Sequence, residues 1–362
     1  MSTDPSALAM TAGGPWPAGP AGPGEERPGG TRAALTVSGL TTVYGTMRGQ
    51  IVAVRDVSFE IQAGEAVGIV GESGCGKTAL ALSLVQLLPR NGRIERGRIT
   101  LDGSDLVTAG KTTLQGVRGR RIAMVFQDSM ASLDPVMPVG RQITEGMISH
   151  LGISRQEARR RAVELLEEVG VPEPVTRLRQ FPHQLSGGLR QRVAIAVAIA
   201  ADPEVLIADE PTTALDVTIQ AQILDLLQRE QGRRGMALIL ITHDLGVVGS
   251  VTDRMIVMYA GRVVESGSTA EVFADPRHPY TLGLLDSVPK VDATTEGRLR
   301  AIPGSPPTGY GMTAGCPFAP RCRWVMQRCG EEDPPRAPVP GGGPAHEAAC
   351  FADVRTGSVP PS

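Results

Sequence analysis

The stretch GIVGESGCGKT, residues 68–78, has the residue types and spacing of a phosphate-binding loop. It follows an apolar run, opens a helical pattern and matches G-x-x-x-x-G-K-[ST]. Glycines let backbone N–H groups face phosphate oxygens, and the helix N-terminus adds positive potential. Lys77 supplies a charge for the β- and γ-phosphates, and the Thr78 hydroxyl can ligate Mg²⁺. The residues predicted to contact a nucleotide here are Gly71, Ser73, Gly74, Cys75, Gly76, Lys77 and Thr78.

A second apolar run, VLIADEPTTALD at residues 205–216, ends in two carboxylates. Asp209 is predicted to hold Mg²⁺ through its water shell, and Glu210 to polarise an attacking water. Phosphoanhydride hydrolysis needs positioning and charge neutralisation more than covalent chemistry, so the pair suits the phosphate loop. An Asp-Glu pair at a strand end is otherwise usually a solvated cap. Together with the loop, the pair predicts hydrolysis of a nucleoside triphosphate.

Four of the five cysteines lie near the end of the chain, separated by five, six and twenty residues. They are Cys316, Cys322, Cys329 and Cys350. In a reducing compartment such a cluster indicates metal ligands rather than disulfides. The paired C-x₂-C spacing that is usual for zinc sites is absent. Four thiolates can hold a [4Fe–4S] cluster or zinc, and a site without metal is the remaining alternative. His346 is a possible alternative ligand.

Length, composition and net charge restrict the classes of protein to which this sequence can belong. The chain has 362 residues, 41% of them apolar, and a net charge of −2. This length suggests two domains, or one large domain with an extension. Nucleic-acid binding is not expected, because it usually requires a basic excess. There is no run of 18 apolar residues and no signal-peptide pattern, so we expect a cytoplasmic protein without a transmembrane helix.

Two kinds of strand pattern alternate with helical patterns. AALTVSGLTTVY and VAVRDVSFEIQAG predict antiparallel strands, and MIVMYAGRVVESGS predicts a hairpin with Ala260 and Gly261 in its turn. AVGIVG, RIAMVFQ, VLIADE and ALILITHD are almost continuously apolar, which is typical of parallel strands buried on both faces. The predicted fold class is therefore α/β, with an antiparallel lobe and a helical insert near residues 130–195. Residues 1–33, rich in Pro, Gly and Ala, are expected to be disordered.

The segment LSGGLRQR, residues 185–192, resembles the signature motif of ABC ATPases. Ser186, Gly187 and Gly188 open a helix, which provides backbone N–H groups and a hydroxyl as a second anion site. In this family the motif closes on the γ-phosphate of ATP held by the opposing subunit. The resemblance covers about residues 35–265.

The resemblance assigns roles to four further residues. Gln127 in VFQD resembles the glutamine that senses Mg²⁺ and the γ-phosphate, and His243 in LITHD resembles the switch histidine. Asp216 in TTALD resembles an aspartate at the dimer interface. Tyr44 is the expected adenine-stacking aromatic, with an ordinary strand-face tyrosine as the alternative. The resemblance thus implies Glu210, His243, Gln127 and Lys77 as catalytic residues, and Thr78, Gln127 and Asp209 as the Mg²⁺ site.

Segments outside these motifs resemble one branch of the family. VFADPRHPYTLGLLDSVPKVD, IPGSPPTG and GCPFAPRC resemble the ATPase subunits of dipeptide and oligopeptide importers, a branch that includes nickel uptake. Members with this tail are thought to carry an iron–sulfur cluster there. The loop departs from the usual GESGSGKS at Cys75 and Thr78, but threonine preserves the Mg²⁺-ligating hydroxyl.

The resemblance implies an ABC-type P-loop NTPase fold, with a RecA-like core, an antiparallel β lobe, a helical subdomain and a small metal-binding C-terminal extension. The implied boundaries are 1–33 for the tail, 34–265 for the nucleotide-binding domain and 266–362 for the extension.

The implied function is ATP hydrolysis that powers peptide uptake, at the cytoplasmic side of the cell membrane. The implied cofactors are ATP, Mg²⁺ and a [4Fe–4S] cluster, with Zn²⁺ as the alternative. The implied partners are a second, distinct ATPase subunit, two membrane permease subunits and an extracytoplasmic peptide-binding protein. The alternatives are a nickel importer and, from another class, a soluble ABC ATPase outside transport.

Overall fold

The computed structural model describes residues 33–213, 215–287, 302–307 and 314–355. All but the last residue of the tail expected to be disordered, residues 1–33, lies outside the described residues. The strands are β1 (Ala33–Thr46), β2 (Gly49–Gln62), β3 (Ala66–Val70), β4 (Gly92–Leu101), β5 (Ser104–Asp105), β6 (Ile122–Val125), β7 (Val205–Asp209), β8 (Ala237–Thr242), β9 (Arg254–Tyr259), β10 (Arg262–Ser268), β11 (Ala337–Pro338) and β12 (Glu347–Ala348).

The helices alternate with these strands. They are α1 (Lys77–Leu84), α2 (Lys111–Val117), α3 (Ser129–Ser132), α4 (Val139–Leu151), α5 (Arg155–Glu168), α6 (Pro174–Arg177), α7 (Gly187–Ile199), α8 (Val217–Arg234), α9 (Leu245–Val251), α10 (Thr269–Ala274), α11 (Pro279–Asp286) and α12 (Gln327–Glu331). Within the described ranges, no helix is both long and apolar enough to cross a membrane.

Two sheets form the framework, as the strand patterns predict. One has the order β2-β1-β4-β5 and is antiparallel throughout. The other has the order β11-β12-β10-β9-β3-β8-β7-β6, and its strands β6, β7, β8, β3 and β9 run parallel. Every residue of β3, β7 and β8 is buried, because helices cover both faces of a parallel sheet. The predicted α/β class and both sheet types are confirmed.

The order of the parallel strands brings the predicted functional residues together. The carboxyl ends of neighbouring parallel strands lie at the same edge of a sheet, which is where ligands bind in open α/β folds. β3 leads into the phosphate loop, β7 ends at Asp209, and the segments after β6 and β8 carry Gln127 and His243. Four segments that are distant in sequence are thereby brought to one edge.

The predicted helical insert is present as α3 to α6 and the start of α7. In α4 the buried residues Val139, Ile143 and Met147 recur every four positions, so they form one face of the helix. Helix α5 buries Ala158, Ala162, Leu165 and Leu166 on its corresponding face. Both faces belong to one core cluster with residues of α7 and β7.

The C-terminal extension continues the main sheet. Strand β10 spans the predicted boundary at residue 265, and β12 pairs with it in antiparallel register. The Glu265 side chain in β10 is fully buried. Its carboxylate accepts hydrogen bonds from the backbone N–H groups of Arg277 at 2.7 Å and His278 at 2.9 Å. The Nε2 atom of His346 lies 2.9 Å from Oε1 of Glu265, so the extension is tied to the core by a buried polar network.

Candidate functional site

The phosphate loop is held in shape by its own backbone and by its lysine. Lys77 is 5% exposed, and its ammonium group donates to the carbonyl oxygens of Gly71 at 2.7 Å and Glu72 at 3.1 Å. Gly76 has a φ of 108°, which favours glycine, and a Cβ there would collide with the carbonyl of Ala53. The loop therefore keeps a cation buried at its centre, at the N-terminus of α1.

Asp209 and Thr78 fit the predicted Mg²⁺ site. Asp209 is fully buried, and neither of its carboxylate oxygens has a hydrogen-bond partner of normal geometry among the described residues. Burial raises the pKa of Asp209; the Thr78 hydroxyl and the Lys77 charge partly offset that rise, and the Glu210 charge adds to it. A buried carboxylate without a partner is costly unless a cation binds it. These two oxygen donors are hard ligands of the kind Mg²⁺ prefers.

Glu210 is the centre of a hydrogen-bonded cluster at the same edge. The Gln127 side-chain amide donates to Glu210 Oε2 at 2.9 Å, and the Thr213 hydroxyl donates to the same atom at 2.9 Å. Nδ1 of His243 lies 3.4 Å from Oε1 of Glu210. The structure thus brings together three predicted residues, since Glu210 is 83 positions from Gln127 and 33 positions from His243 in the sequence. A carboxylate fixed in this way can orient a water for attack on a phosphate.

The predicted signature residues lie at the start of helix α7 and not at the ends of the parallel strands. The Ser186 hydroxyl accepts a hydrogen bond from the backbone N–H of Leu189 and caps α7. Gly187 and Gly188 form the first turn, and a Cβ on Gly188 would press on Ile219 of α8 at 3.0 Å. Asp216 caps α8 by accepting from the Ile219 N–H at 2.9 Å. These two helix starts therefore pack against each other, and both capping residues are exposed.

Comparison with known proteins identifies the family to which this site belongs. Residues 54–213 match the ABC transporter family, and residues 264–329 match the oligopeptide/dipeptide transporter C-terminal region. The oligopeptide transport ATP-binding protein OppD of Bacillus subtilis is 51% identical over 302 residues, which cover 83% of this chain and 84% of that protein. The chain belongs to the ABC transporter family.

Two further comparisons agree with this assignment. A putative peptide import ATP-binding protein of Brucella melitensis is 49% identical over 316 residues, which cover 84% of this chain and 94% of that protein. A solved dimeric ATP-binding cassette, MJ0796 with bound ADP and phosphate, superposes with a TM-score of 0.59 and 29% identity. That superposition covers 65% of this chain and 98% of the solved chain. The ABC ATPase fold and an ATP-hydrolysing site follow for this protein.

Tyr44 of this ABC ATPase lies partly buried on β1, next to Gly92 of β4. A Cβ on Gly92 would meet the tyrosine ring at 2.7 Å, so the ring packs closely over the glycine. Burial raises the pKa of Tyr44. The partly buried ring is compatible with adenine stacking, and that role stays a prediction.

The four C-terminal cysteines share one region of the extension, in which Cys329 is buried and the other three are partly buried. The backbone N–H of Cys316 donates to the carbonyl of Cys329 at 2.8 Å. Burial raises the pKa of Cys322 to about 11 and that of Cys350 to about 12, and the charges of neighbouring cysteine sulfurs add to both increases. The sulfurs are thus close enough to influence one another. In the described ranges, no group of three or more His, Cys, Asp or Glu side chains is arranged to hold a metal ion, so the predicted metal site stays a prediction.

Three residues at these sites were missed or misjudged from sequence. Thr213 lies in the quoted run VLIADEPTTALD, but its bond to Glu210 has no signal in the pattern. Glu72 lies within the phosphate loop at a position that the motif leaves unspecified, so the sequence predicts no role for it. His346, considered as an alternative metal ligand, instead directs Nε2 to Glu265.

Proposed function

We propose that this ABC ATPase is the ATP-hydrolysing subunit of an importer for dipeptides or oligopeptides. The observation that carries the proposal is the extension, whose residues 264–329 match the oligopeptide/dipeptide transporter C-terminal region. It is attached to a catalytic edge at which Gln127, Glu210 and His243 are hydrogen-bonded together. The relatives from Bacillus subtilis and Brucella melitensis are named for peptide transport, which supports the same cargo class.

In the proposed reaction, Glu210 orients the water that attacks the γ-phosphate, and Gln127 and His243 hold Glu210 and respond to that phosphate. Lys77 turns from the loop carbonyls to the β- and γ-phosphates, which carry more negative charge. Thr78, Asp209 and Gln127 would hold Mg²⁺, which neutralises phosphate charge when bound. The adenine would stack on Tyr44.

The proposed assembly contains two nucleotide-binding domains that meet head to tail. Each ATP would lie between the phosphate loop of one subunit and residues 186–188 of the other, with Asp216 at the interface. We propose a distinct ATPase chain as the partner, together with two permease subunits and an extracytoplasmic peptide-binding protein. The chain would lie at the cytoplasmic side of the membrane. Its proposed parts are a tail (1–33), a nucleotide-binding domain (34–265) and an extension (266–362).

Uptake of labelled peptides by the host of this chain tests the proposed function. Deleting the gene should abolish uptake of a dipeptide, a longer peptide or both, and the wild-type gene should restore it. The Glu210→Gln variant should be produced at normal levels but fail to restore uptake. Loss of nickel uptake with unchanged peptide uptake would reject the peptide assignment in favour of nickel. Unchanged uptake of both would favour a role outside transport.

We also propose that Cys316, Cys322, Cys329 and Cys350 bind a [4Fe–4S] cluster, with Zn²⁺ as the alternative. The donor set of four thiols in one partly buried region supports this, and a four-iron cluster needs sulfurs set farther apart than a single ion does. Such a group would cross-link an extension with little regular structure.

Metal analysis of anaerobically purified protein tests the proposed cluster. About four irons and four sulfides per chain, with visible absorption that bleaches on reduction, are expected. Cys322→Ser should lose the iron, whereas Cys75→Ser, which changes the cysteine of the phosphate loop, should retain it. Zinc without iron would support the alternative, and neither metal in active protein would contradict both.

A further inference from the structure

The C-terminal extension contacts the phosphate loop at Glu72. The guanidinium of Arg321 makes a two-pronged ion pair with the Glu72 carboxylate, at 2.7 Å to Oε2 and 3.0 Å to Oε1. The backbone N–H of Glu72 donates to the hydroxyl of Tyr280 at 2.7 Å. Its carbonyl accepts from Lys77 at 3.1 Å. Glu72 is therefore contacted both by two residues of the extension, Arg321 and Tyr280, and by Lys77 of the loop itself.

The Arg321 side chain is held in place by residues outside the phosphate loop. Its side chain is 5% exposed, against 26% for Glu72. Its Nε donates to the carbonyl of Pro303 at 2.8 Å, and its guanidinium lies 5.8 Å from the ring centre of Tyr259 and 5.9 Å from that of Phe318. An arginine that is already ordered loses little entropy when it forms its ion pair. The pair is thus a rigid link and not a mobile surface contact.

Tyr280 provides the second link. It is fully buried, and its ring packs 4.7 Å from Tyr259 and 5.5 Å from Phe318, measured between ring centres. Burial raises the pKa of Tyr280, so the hydroxyl stays neutral and can accept from the Glu72 N–H. The same aromatic cluster thereby supports both contacts to the loop.

We propose that Arg321 is a positioning residue for ATP binding, acting through Glu72 with the help of Tyr280. A carboxylate in the loop that receives a triphosphate repels it, and this repulsion is strong where water is partly excluded. Arg321 neutralises that carboxylate and directs it away from the nucleotide. The inference depends on ATP binding by this site and not on the cargo, so a failure of the peptide assignment would leave it standing.

Titration with a fluorescent ATP analogue, with and without Mg²⁺, tests the proposal in the full-length protein. Arg321→Gln should raise the Kd by roughly tenfold, because it leaves a charge uncompensated beside the phosphates. Adding Glu72→Gln to Arg321→Gln should restore most of the affinity, since it removes the repulsive charge. Glu72→Gln alone should bind ATP at least as tightly as wild type. The matched control is Arg323→Gln, which also flanks Cys322 but is exposed and stacks on Trp324, and its Kd should not change.

Rescue by the second substitution separates positioning from a purely structural role. If Arg321→Gln binds ATP normally, or binds weakly without rescue by Glu72→Gln, the proposal is wrong. If Arg321→Gln does not fold, Arg321→Lys and Tyr280→Phe decide the question, because the first keeps the charge and the second keeps the ring. Arg321→Lys cannot keep both prongs of the ion pair, and Tyr280→Phe removes the acceptor of the Glu72 N–H. Each should raise the Kd by roughly threefold. Wild-type Kd values in both would overturn the proposal.

Discussion

Glu210 combines a strained backbone with a fully engaged side chain. Its φ is 45°, in the left-handed region that non-glycine residues seldom adopt. Its N–H donates to the carbonyl of Ile241 at 2.8 Å, and its carboxylate is held by Gln127 and Thr213. Such strain costs about 1–3 kcal/mol and persists only where the surroundings impose it. The surroundings here hold the Glu210 carboxylate beside Gln127, Thr213 and His243.

Replacing Glu210 by Gln should separate hydrolysis from binding. Glutamine has the same shape and can keep its neighbours in place, but its amide cannot polarise a water. We expect kcat to fall by roughly 100-fold or more, with little change in the Kd for ATP. Steady-state ATPase assays and nucleotide titration measure the two quantities. A kcat within about threefold of wild type would remove Glu210 from the proposed mechanism.

Asp209 gives a prediction about pH. Because burial raises its pKa, the folded protein binds more protons than the unfolded chain, and stability falls as pH rises through the interval between the two values. The interval begins near the ordinary aspartate pKa of about 3.9. Without Mg²⁺ and nucleotide, Asp209→Asn should therefore be more stable than wild type at about pH 8, by about 1–2 kcal/mol.

The stability difference between Asp209→Asn and wild type should shrink as the pH falls, because the raised pKa lets folded Asp209 take up its proton at a higher pH than an ordinary aspartate does. Denaturant unfolding at several pH values measures it. The variant should also lose the extra stability that wild type gains from Mg²⁺ and ATP. A difference that does not change with pH would show that Asp209 is not the titrating group.

At the scale of elements, strand β10 joins the nucleotide-binding core to the extension. Glu265 in this strand accepts hydrogen bonds from two backbone N–H groups and lies against the ring of His346. All three contacts come from residues beyond the strand. Strand β10 therefore carries a buried carboxylate that orders the extension.

Replacing Glu265 by Ala should destabilise the protein by about 3 kcal/mol, because buried donors lose their acceptor. Denaturant unfolding measures the change, and limited proteolysis should show earlier cleavage after residue 268. The matched control is Glu347→Ala, whose partner Arg336 lies 2.8 Å away in a partly exposed pair. That control should cost less than about 1 kcal/mol. Equal costs for both variants would contradict the assigned role of Glu265.

At the scale of the whole molecule, one chain carries the predicted parts of the ATP site at two separate places. The phosphate loop, Asp209 and Glu210 lie at the sheet edge, whereas residues 186–188 begin α7 in the helical insert. Ser186, which caps that helix, is exposed, so the predicted anion site lies on the surface. This separation supports a site that is completed by a second subunit.

Light scattering with size-exclusion chromatography tests that arrangement. The Glu210→Gln variant, which should hold ATP without hydrolysing it, is expected to stay monomeric with Mg²⁺ and ATP when it is alone. Adding the partner ATPase should produce a dimer, and omitting ATP should abolish it. A dimer formed by the variant alone would show that the chain pairs with itself.

Much of the fold and the site could be predicted because the determining signals are local. The apolar runs that became β3, β7 and β8 are continuous in sequence, and buried parallel strands require that composition. The predicted helix GGLRQRVAIAVAIAAD appears as α7, with its start fixed by the Ser186 cap. The hairpin turn at Ala260 and Gly261 appears between β9 and β10.

Sequence alone determined the phosphate loop, the acidic strand end and the signature helix start, because each is one continuous segment whose own backbone or side chains supply its candidate binding groups. Only the tertiary structure decided the contacts between segments. Arg321 and Glu72 are 249 positions apart, and Gln127 and Glu210 are 83 apart. No periodicity records such pairs, since they arise from strand order and from the docking of the extension on β10. The physical reason is that burial and charge pairing act through space, whereas sequence patterns report only neighbours along the chain.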